Sequence, residues 1–256
     1  MSEQKKTALV TGATAGLGLE FCRQLAADYP IIIAVGRRRE RLEELRRELL
    51  GQCEVHVVCA DLATLEGISS CIEILRQKGP PDMLVNNAGV STYGEFCSSH
   101  VDEQQGMIAL HVEAVMRLSR AALPYMVERG TGTIINVSSI SSFTPLPKSA
   151  VYGATKAFIN AFSVSLQEEV KASGITVQAL CPGLVRTEIH DTASMAGFDK
   201  TRFPDEYWMS AAAVVSASIS ALTAAEVVVV PGEVNRKIAL LGNRQLEEQL
   251  SVDQIE

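Results

Sequence analysis

Thr7-Ala-Leu-Val-Thr11-Gly12-Ala-Thr-Ala-Gly16-Leu-Gly18 is the stretch on which the fold turns. Its first five residues are a short apolar run of strand length, and helical apolar spacing from about Leu17 to Asp28 predicts an amphipathic helix behind the glycines. Strand, glycine turn and helix in that order make an anion-binding element. The glycines let the backbone turn tightly and approach a pyrophosphate, and N–H groups at the helix start supply donors and partial positive charge. The unit predicts a dinucleotide cradle built from Gly12, Thr14, Gly16, Leu17 and Gly18.

Further along, Tyr152-Gly-Ala-Thr-Lys156 lies in a segment, Ala150 to Ser173, whose apolar residues Val151, Phe158, Phe162, Leu166 and Val170 recur at helical spacing. Tyr152 and Lys156 then share one helix face. An unperturbed phenol has a pKa of about 10, and a nearby ammonium favours the phenolate, so the pair predicts a tyrosine that trades protons near neutral pH. Alone, such a pair is more often an ordinary surface contact. Just before it, Gly132-Thr-Ile-Ile-Asn-Val-Ser-Ser139 reads as a buried strand ending in hydroxyls. Successive strand residues face opposite sides, so only one of Ser138 and Ser139 looks into the site.

Thr11-Gly-x-x-x-Gly16-x-Gly18, Asp61-Leu62, Asn86-Asn-Ala-Gly89, Ser139, Tyr152-x-x-x-Lys156 and Pro182-Gly183-x-Val185-x-Thr187 occur in this order. At these intervals they resemble the short-chain dehydrogenase/reductase family in its compact form, over roughly residues 5 to 190. The resemblance implies one α/β domain across residues 1–256: a Rossmann-type, doubly wound parallel sheet of about seven strands, order 3-2-1-4-5-6-7, with helices on both faces. It also implies hydride transfer between NADP(H) and a ketone or aldehyde and the corresponding alcohol. The family interval selects Ser139, which steadies the developing oxyanion; Tyr152 is the acid/base, and Lys156 lowers its pKa and holds the nicotinamide ribose. By the same resemblance Asp61 and Leu62 lie against the adenine and Asn87 contacts the cofactor. Val185 offers backbone groups to the carboxamide, Thr187 offers its hydroxyl, and the protein is a homodimer or homotetramer.

One position departs from the family. In the helix predicted from about Val101 to Arg129, the family's asparagine, which ties the lysine to solvent through water, is replaced by His111. His111 either takes over the amide's hydrogen bonds in the catalytic set or is a satisfied helix histidine.

Cofactor choice rests on the second strand, Ile31-Ile-Ile-Ala-Val35. An NAD site usually carries an acidic residue near this strand's end to hold the ribose 2′-OH. Here Gly36, Arg37 and Arg38 stand there, and guanidinium groups fork onto phosphate, which favours NADP(H) over NAD(H). Otherwise the arginines merely open the charge-laced helix Arg39 to Leu50.

Composition bounds the remainder. The 256 residues carry a net charge of −7 with no dense basic patch beyond Arg37-Arg38-Arg39, which argues against a nucleic-acid partner. The six scattered cysteines lack metal-site spacing and suit reduced, buried residues of a cytoplasmic protein. Ala211 to Val230 is apolar but interrupted by Glu226 and stopped by Pro231-Gly232, which predicts a buried helix and a strand rather than a membrane span. Residues 188–209 contain Met195, Phe198, Phe203, Tyr207, Trp208 and Met209 among polar residues and read as a segment covering an apolar carbonyl substrate. Ile140 to Pro147 is a candidate pocket wall. An alternative function is an NADP(H)-binding regulator without turnover.

Overall fold

The computed structural model describes residues 5–249. Every residue of β1 (Thr7–Thr11) is buried, as in a strand covered on both faces. On one side of it lie β2 (Ile31–Gly36) and β3 (Glu54–Cys59); on the other lie β4 (Met83–Asn86), β5 (Gly132–Val137) and β6 (Ile175–Leu180). All these neighbours are parallel, with Leu9 opposite both Ile33 and Leu84. Strands β7 (Leu184–Val185) and β8 (Trp208–Met209) form a separate two-stranded ladder, and β9 (Val228–Val229) joins the main sheet beside β6. The order β3-β2-β1-β4-β5-β6-β9 is the anticipated seven-strand order, with β9 as its seventh member.

Helices cover both faces. Ala8 and Val10 point towards α1 (Gly16–Leu25), α2 (Arg39–Glu48) and α7 (Ala211–Ala221), where they meet Phe21, Leu42, Leu45, Val214 and Val215. Leu9, one residue out of phase, points the other way, towards α3 (Leu65–Lys78), α5 (Ala114–Arg129) and α6 (Ala150–Val170). Each large apolar side chain sealed in these layers contributes roughly 1.5–3 kcal/mol. The last described element is α8 (Glu233–Gln249).

Three expectations are modified. The helix anticipated over residues 101–129 is divided: α4 (Val101–Ile108) passes through a π turn, Ala109–Glu113, into α5. A π turn inserts one residue without breaking the helix, so apolar periodicity does not reveal it. The first helix ends at Leu25 rather than Asp28. The cysteines are all free, but Cys59 and Cys97 are exposed. The apolar run after residue 210 does form α7 and β9, and among the described residues no helix is long and apolar enough to cross a membrane.

Candidate active site

The strand ends of β1, β4 and β5 converge on one edge of the sheet. Leaving β1, the backbone takes left-handed conformations at Gly12 (φ 68°) and Gly16 (φ 55°), which only glycine adopts without strain. A side chain on Gly18 would run into the Gly12 carbonyl oxygen and Asn87 Nδ2. No side chain caps the first turn of α1, so its amides face the cleft as anion donors. Asn87 secures this turn from the neighbouring strand: its Nδ2 donates to Thr11 O at 2.8 Å and its N–H to Thr11 Oγ1 at 2.9 Å. Asn86 belongs to a buried ladder instead, donating to Asn136 Oδ1 at 2.8 Å and Ser119 Oγ at 3.1 Å. These features fit a dinucleotide pyrophosphate: a cradle with no room for a side chain, ringed by uncapped amides.

The residues assigned to the cofactor's far end separate. Arg38 lies over the glycine turn, donating to Thr14 Oγ1 from Nε at 3.2 Å and from Nη2 at 3.0 Å, and it pairs with Glu188. Arg37 is exposed and makes no side-chain hydrogen bond among the described residues. A side chain at Gly36 would begin 2.6 Å from Thr14 Cγ2, so an acidic residue there would require Thr14 to turn away. Asp61 makes a turn, its Oδ1 accepting from Ala63 N at 3.0 Å, and Thr64, not Asp61, caps α3. The Leu62 side chain is buried in the core cluster that includes Val58, Ala60 and Ile68. Leu17 is half-buried against the α1 side of the core. Thr187 stands over the turn, its Cγ2 at 3.1 Å from where a Gly16 Cβ would lie, and Val185 is buried in β7.

Ser139, Tyr152, Lys156 and His111 come together beside this cradle. Ser138 turns back and donates to Lys156 O at 2.9 Å, whereas Ser139, two residues past β5, accepts from Ser141 N at 3.1 Å and lies close enough to Tyr152 to favour its phenolate. Lys156 is sealed by α6 and β5, and its Nζ donates to Val137 O at 2.9 Å. Burial pushes the ammonium down to about 8. Burial raises the Tyr152 pKa, and the neighbouring Ser139 hydroxyl offsets this only in part. Lys156 Nζ stands 5.6 Å from the Tyr152 ring centroid while it donates to Val137 O.

At His111 the structure shows a buried histidine with a full set of partners. The π turn brings its ring edge-on to Tyr152 with centroids 5.9 Å apart, yet both nitrogens are occupied. Val90 N–H donates to Nε2 at 3.1 Å, and Nδ1 bonds Thr155 Oγ1 at 2.9 Å. Neither nitrogen is directed at Lys156. Burial and the nearby lysine charge hold its pKa well below the usual histidine value, so the ring stays neutral.

The covering segment folds as short turns between β7 and β8. Beneath it an aromatic cluster forms: His190 stacks on Phe198 at 5.3 Å and meets Trp208 edge-on at 5.2 Å, Phe198 stacks on Phe203, and Tyr93 abuts Phe198 at 5.5 Å. Met195 is buried, while Tyr207 and Met209 are half-buried. The C-terminal region, whose role the sequence does not disclose, buttresses the site. Asn235 of α8 fills the space beside Gly183 and donates to Pro231 O at 2.8 Å, and Gly242 sits against Phe143 in the wall 140–147. Tyr93, His190, Glu188 and Asn235 are thus site neighbours that lie outside every motif, His190 and Glu188 being marked only by their place in the segment 188–209, while Thr155 falls at an unspecified position inside Tyr152-x-x-x-Lys156.

The comparisons agree with this geometry. The family model described as "short chain dehydrogenase" matches residues 6–196. An uncharacterized oxidoreductase of Staphylococcus epidermidis is 33% identical over 221 residues, 86% of this chain and 92% of that protein. Among solved structures, a short-chain dehydrogenase from Sphingobium yanoikuyae in complex with NADPH superimposes with a TM-score of 0.83 at 33% identity, covering 97% of this chain and 98% of that one. The bulky-bulky ketone specific alcohol dehydrogenase from Comamonas testosteroni gives a TM-score of 0.81 at 26% identity, with 99% and 97% covered. Matched over most of its length in sequence and in backbone, the chain belongs to the short-chain dehydrogenase/reductase family of oxidoreductases.

Proposed function

We propose that this oxidoreductase interconverts an apolar ketone or aldehyde and its alcohol, using NADP(H) in preference to NAD(H). The observation that carries the reading is the meeting of Ser139, Tyr152 and Lys156 at the sheet edge beside the uncapped glycine turn. When bound, the dinucleotide supplies or accepts the hydride. Tyr152 gives its phenolic proton to the carbonyl oxygen as that oxygen gains charge, and takes it back in the oxidative direction. Ser139 holds the same oxygen by a hydrogen bond that strengthens as charge develops. Lys156, cationic below about pH 8, keeps positive charge behind the phenol and offsets the cost of the transient phenolate.

The cofactor preference is supported by Gly36, where a side chain would crowd Thr14, and by the guanidinium of Arg38 at the same bank of the cleft, with Arg37 beside it. The apolar substrate class is supported by the aromatic cluster of the covering segment, and of the two solved neighbours one is in complex with NADPH and the other is specific for bulky-bulky ketones. A homodimer or homotetramer is supported by α4 and α6, where Phe96, Ile108, Val112, Val151 and Phe158 line an open apolar hollow that a second copy would cover. Six free thiols suit the cytoplasm.

A screen of steroid, aromatic and acyl ketones, followed by loss of NADPH absorbance, tests the reading. Turnover of at least one bulky ketone, abolished in Tyr152→Phe, is the expected outcome. Tight NADPH binding with no turnover across the panel would overturn it in favour of a regulator.

A further inference from the structure

Arg38 and Glu188 stand on opposite banks of the cofactor cleft. Arg38 follows β2, whereas Glu188 is the first residue of the covering segment, directly after Thr187. Across the gap Arg38 Nη1 donates to Glu188 Oε2 at 2.8 Å, while Nε and Nη2 remain on Thr14 and Nη2 also reaches Thr14 O at 3.3 Å. One guanidinium therefore joins the glycine turn, the end of β2 and the covering segment. A planar fork presents its donors in fixed directions, and the edge turned towards Glu188 does not serve a second anion in the same direction.

We propose that Glu188 is an internal competitor for Arg38, and that the cofactor's 2′-phosphate releases the covering segment by displacing it. The inference rests on the NADP(H) reading above. Both side chains are about half exposed, so the ion pair is weak and a dianionic phosphate outcompetes it; Glu188 tunes affinity rather than blocking the site. The displacement is transmitted locally. Glu188 opens a short turn, Glu188–Asp191, that also carries His190, and the His190 ring rests edge-on against Trp208. Farther along, the segment is held by ion pairs of Asp191 with Lys200 and of Asp205 with Arg186, whose guanidinium lies 5.8 Å from the Trp208 ring. Freeing Glu188 thus loosens the start of this turn while Asp191 and the rest of the segment stay anchored, and the environment of Trp208 changes through His190. Since Trp208 is the single tryptophan of the chain, its fluorescence reports on this segment alone.

The test uses the full chain titrated with 2′,5′-ADP, which carries the phosphate without the nicotinamide, and with 5′-ADP as the control. Wild type is expected to bind 2′,5′-ADP more tightly and to change its tryptophan emission with that ligand only. Glu188→Gln is expected to show the altered emission before any ligand is added, to bind 2′,5′-ADP about 2- to 5-fold more tightly, and to bind 5′-ADP as wild type does. In an Arg38→Ala background the same Gln substitution is expected to change nothing. If wild type prefers 2′,5′-ADP but Glu188→Gln matches it in affinity and emission, the competition is overturned and the NADP(H) reading stands. If wild type shows no preference between the two ligands, the NADP(H) reading falls and the competition falls with it.

Discussion

His111 Nδ1 and Thr155 Oγ1 lie 2.9 Å apart, and the direction of the hydrogen bond between them is fixed by their other partners. The Val90 N–H only donates, so Nε2 accepts; a neutral ring then carries its proton on Nδ1. Thr155 directs its own hydroxyl proton at Tyr152 O, 2.8 Å away, so it is free to accept from His111. The chain Val90, His111, Thr155, Tyr152 pins the first turn of α6 to the loop after β4. His111→Ala should therefore lower the melting temperature, leaving a buried N–H and hydroxyl short of partners at a cost of roughly 1–3 kcal/mol, while kcat per folded molecule moves only a few-fold. His111→Asn should recover most of that loss. A kcat fall of 10-fold or more in His111→Ala at unchanged melting temperature would instead place the ring in the relay.

Acid should weaken the same clamp. The folded pKa of His111 is below its unfolded value of about 6.5, so the unfolded state takes up the proton first. The histidine's contribution is complete above that value and is lost as the pH falls towards the folded pKa. Melting curves between pH 7.5 and about 5 should show wild type losing more stability than His111→Asn; parallel curves would refute the shift.

Lys156 carries a stability cost. Its pKa falls from 10.5 in the open to about 8 in the fold, which corresponds to about 3 kcal/mol against burying the cation. The sign follows from linkage: wild type is penalised below about pH 8 and relieved as pH rises towards 10.5. Lys156→Met should abolish turnover yet melt above wild type at pH 7, with the gap narrowing towards pH 10. A variant that melts lower at pH 7 would show that the bond to Val137 O outweighs the burial cost.

Tyr152→Phe should keep the ring's packing against His111 and leave NADPH affinity within about 2-fold, while turnover falls by roughly 10²-fold or more. Residual activity within a few-fold of wild type would remove the phenol from the proton-transfer role.

Arg38→Ala should weaken NADPH far more than NADH, because a charge-assisted bond to phosphate contributes roughly 1.5–3 kcal/mol. Arg37→Ala should have the smaller effect, since its side chain has no anchor over the turn. Equal losses for both cofactors in the double variant would show that neither arginine reads the phosphate.

Trp208→Ala and Phe203→Ala should alter the ranking of ketones by size, with bulky aromatic substrates losing kcat/KM relative to small ones. If the ranking is preserved in both variants, the aromatic cluster is packing alone.

Most of the sheet was legible because each strand is a short apolar run bounded by turn residues, and the glycine turn fixed which strand is central. Tyr152, Lys156 and Ser139 were legible as a set through ordered spacing. What spacing does not carry is the third dimension. Nothing in the sequence around His190 distinguishes it from a surface histidine, and its place in the aromatic cluster arises only when Phe198 and Trp208 fold over it. Asn235 is similar: its contact with Gly183 joins residues 52 positions apart that share no pattern. The burial of Tyr152 is likewise absent from the spacing: a neighbouring charge can be read there, but the desolvation that raises the phenol's pKa cannot.

The strand order has a consequence for biosynthesis. As the chain emerges from its N-terminus, β2 adds beside β1 and β3 beside β2; β4 then takes the free side of β1, and β5, β6 and β9 each extend that edge. No strand ever has to insert between two already paired. The nucleus can thus form early and grow outward at the rate of synthesis, and the proton-transfer pair on α6 is docked only after β5, which holds Lys156 through Val137, is in place.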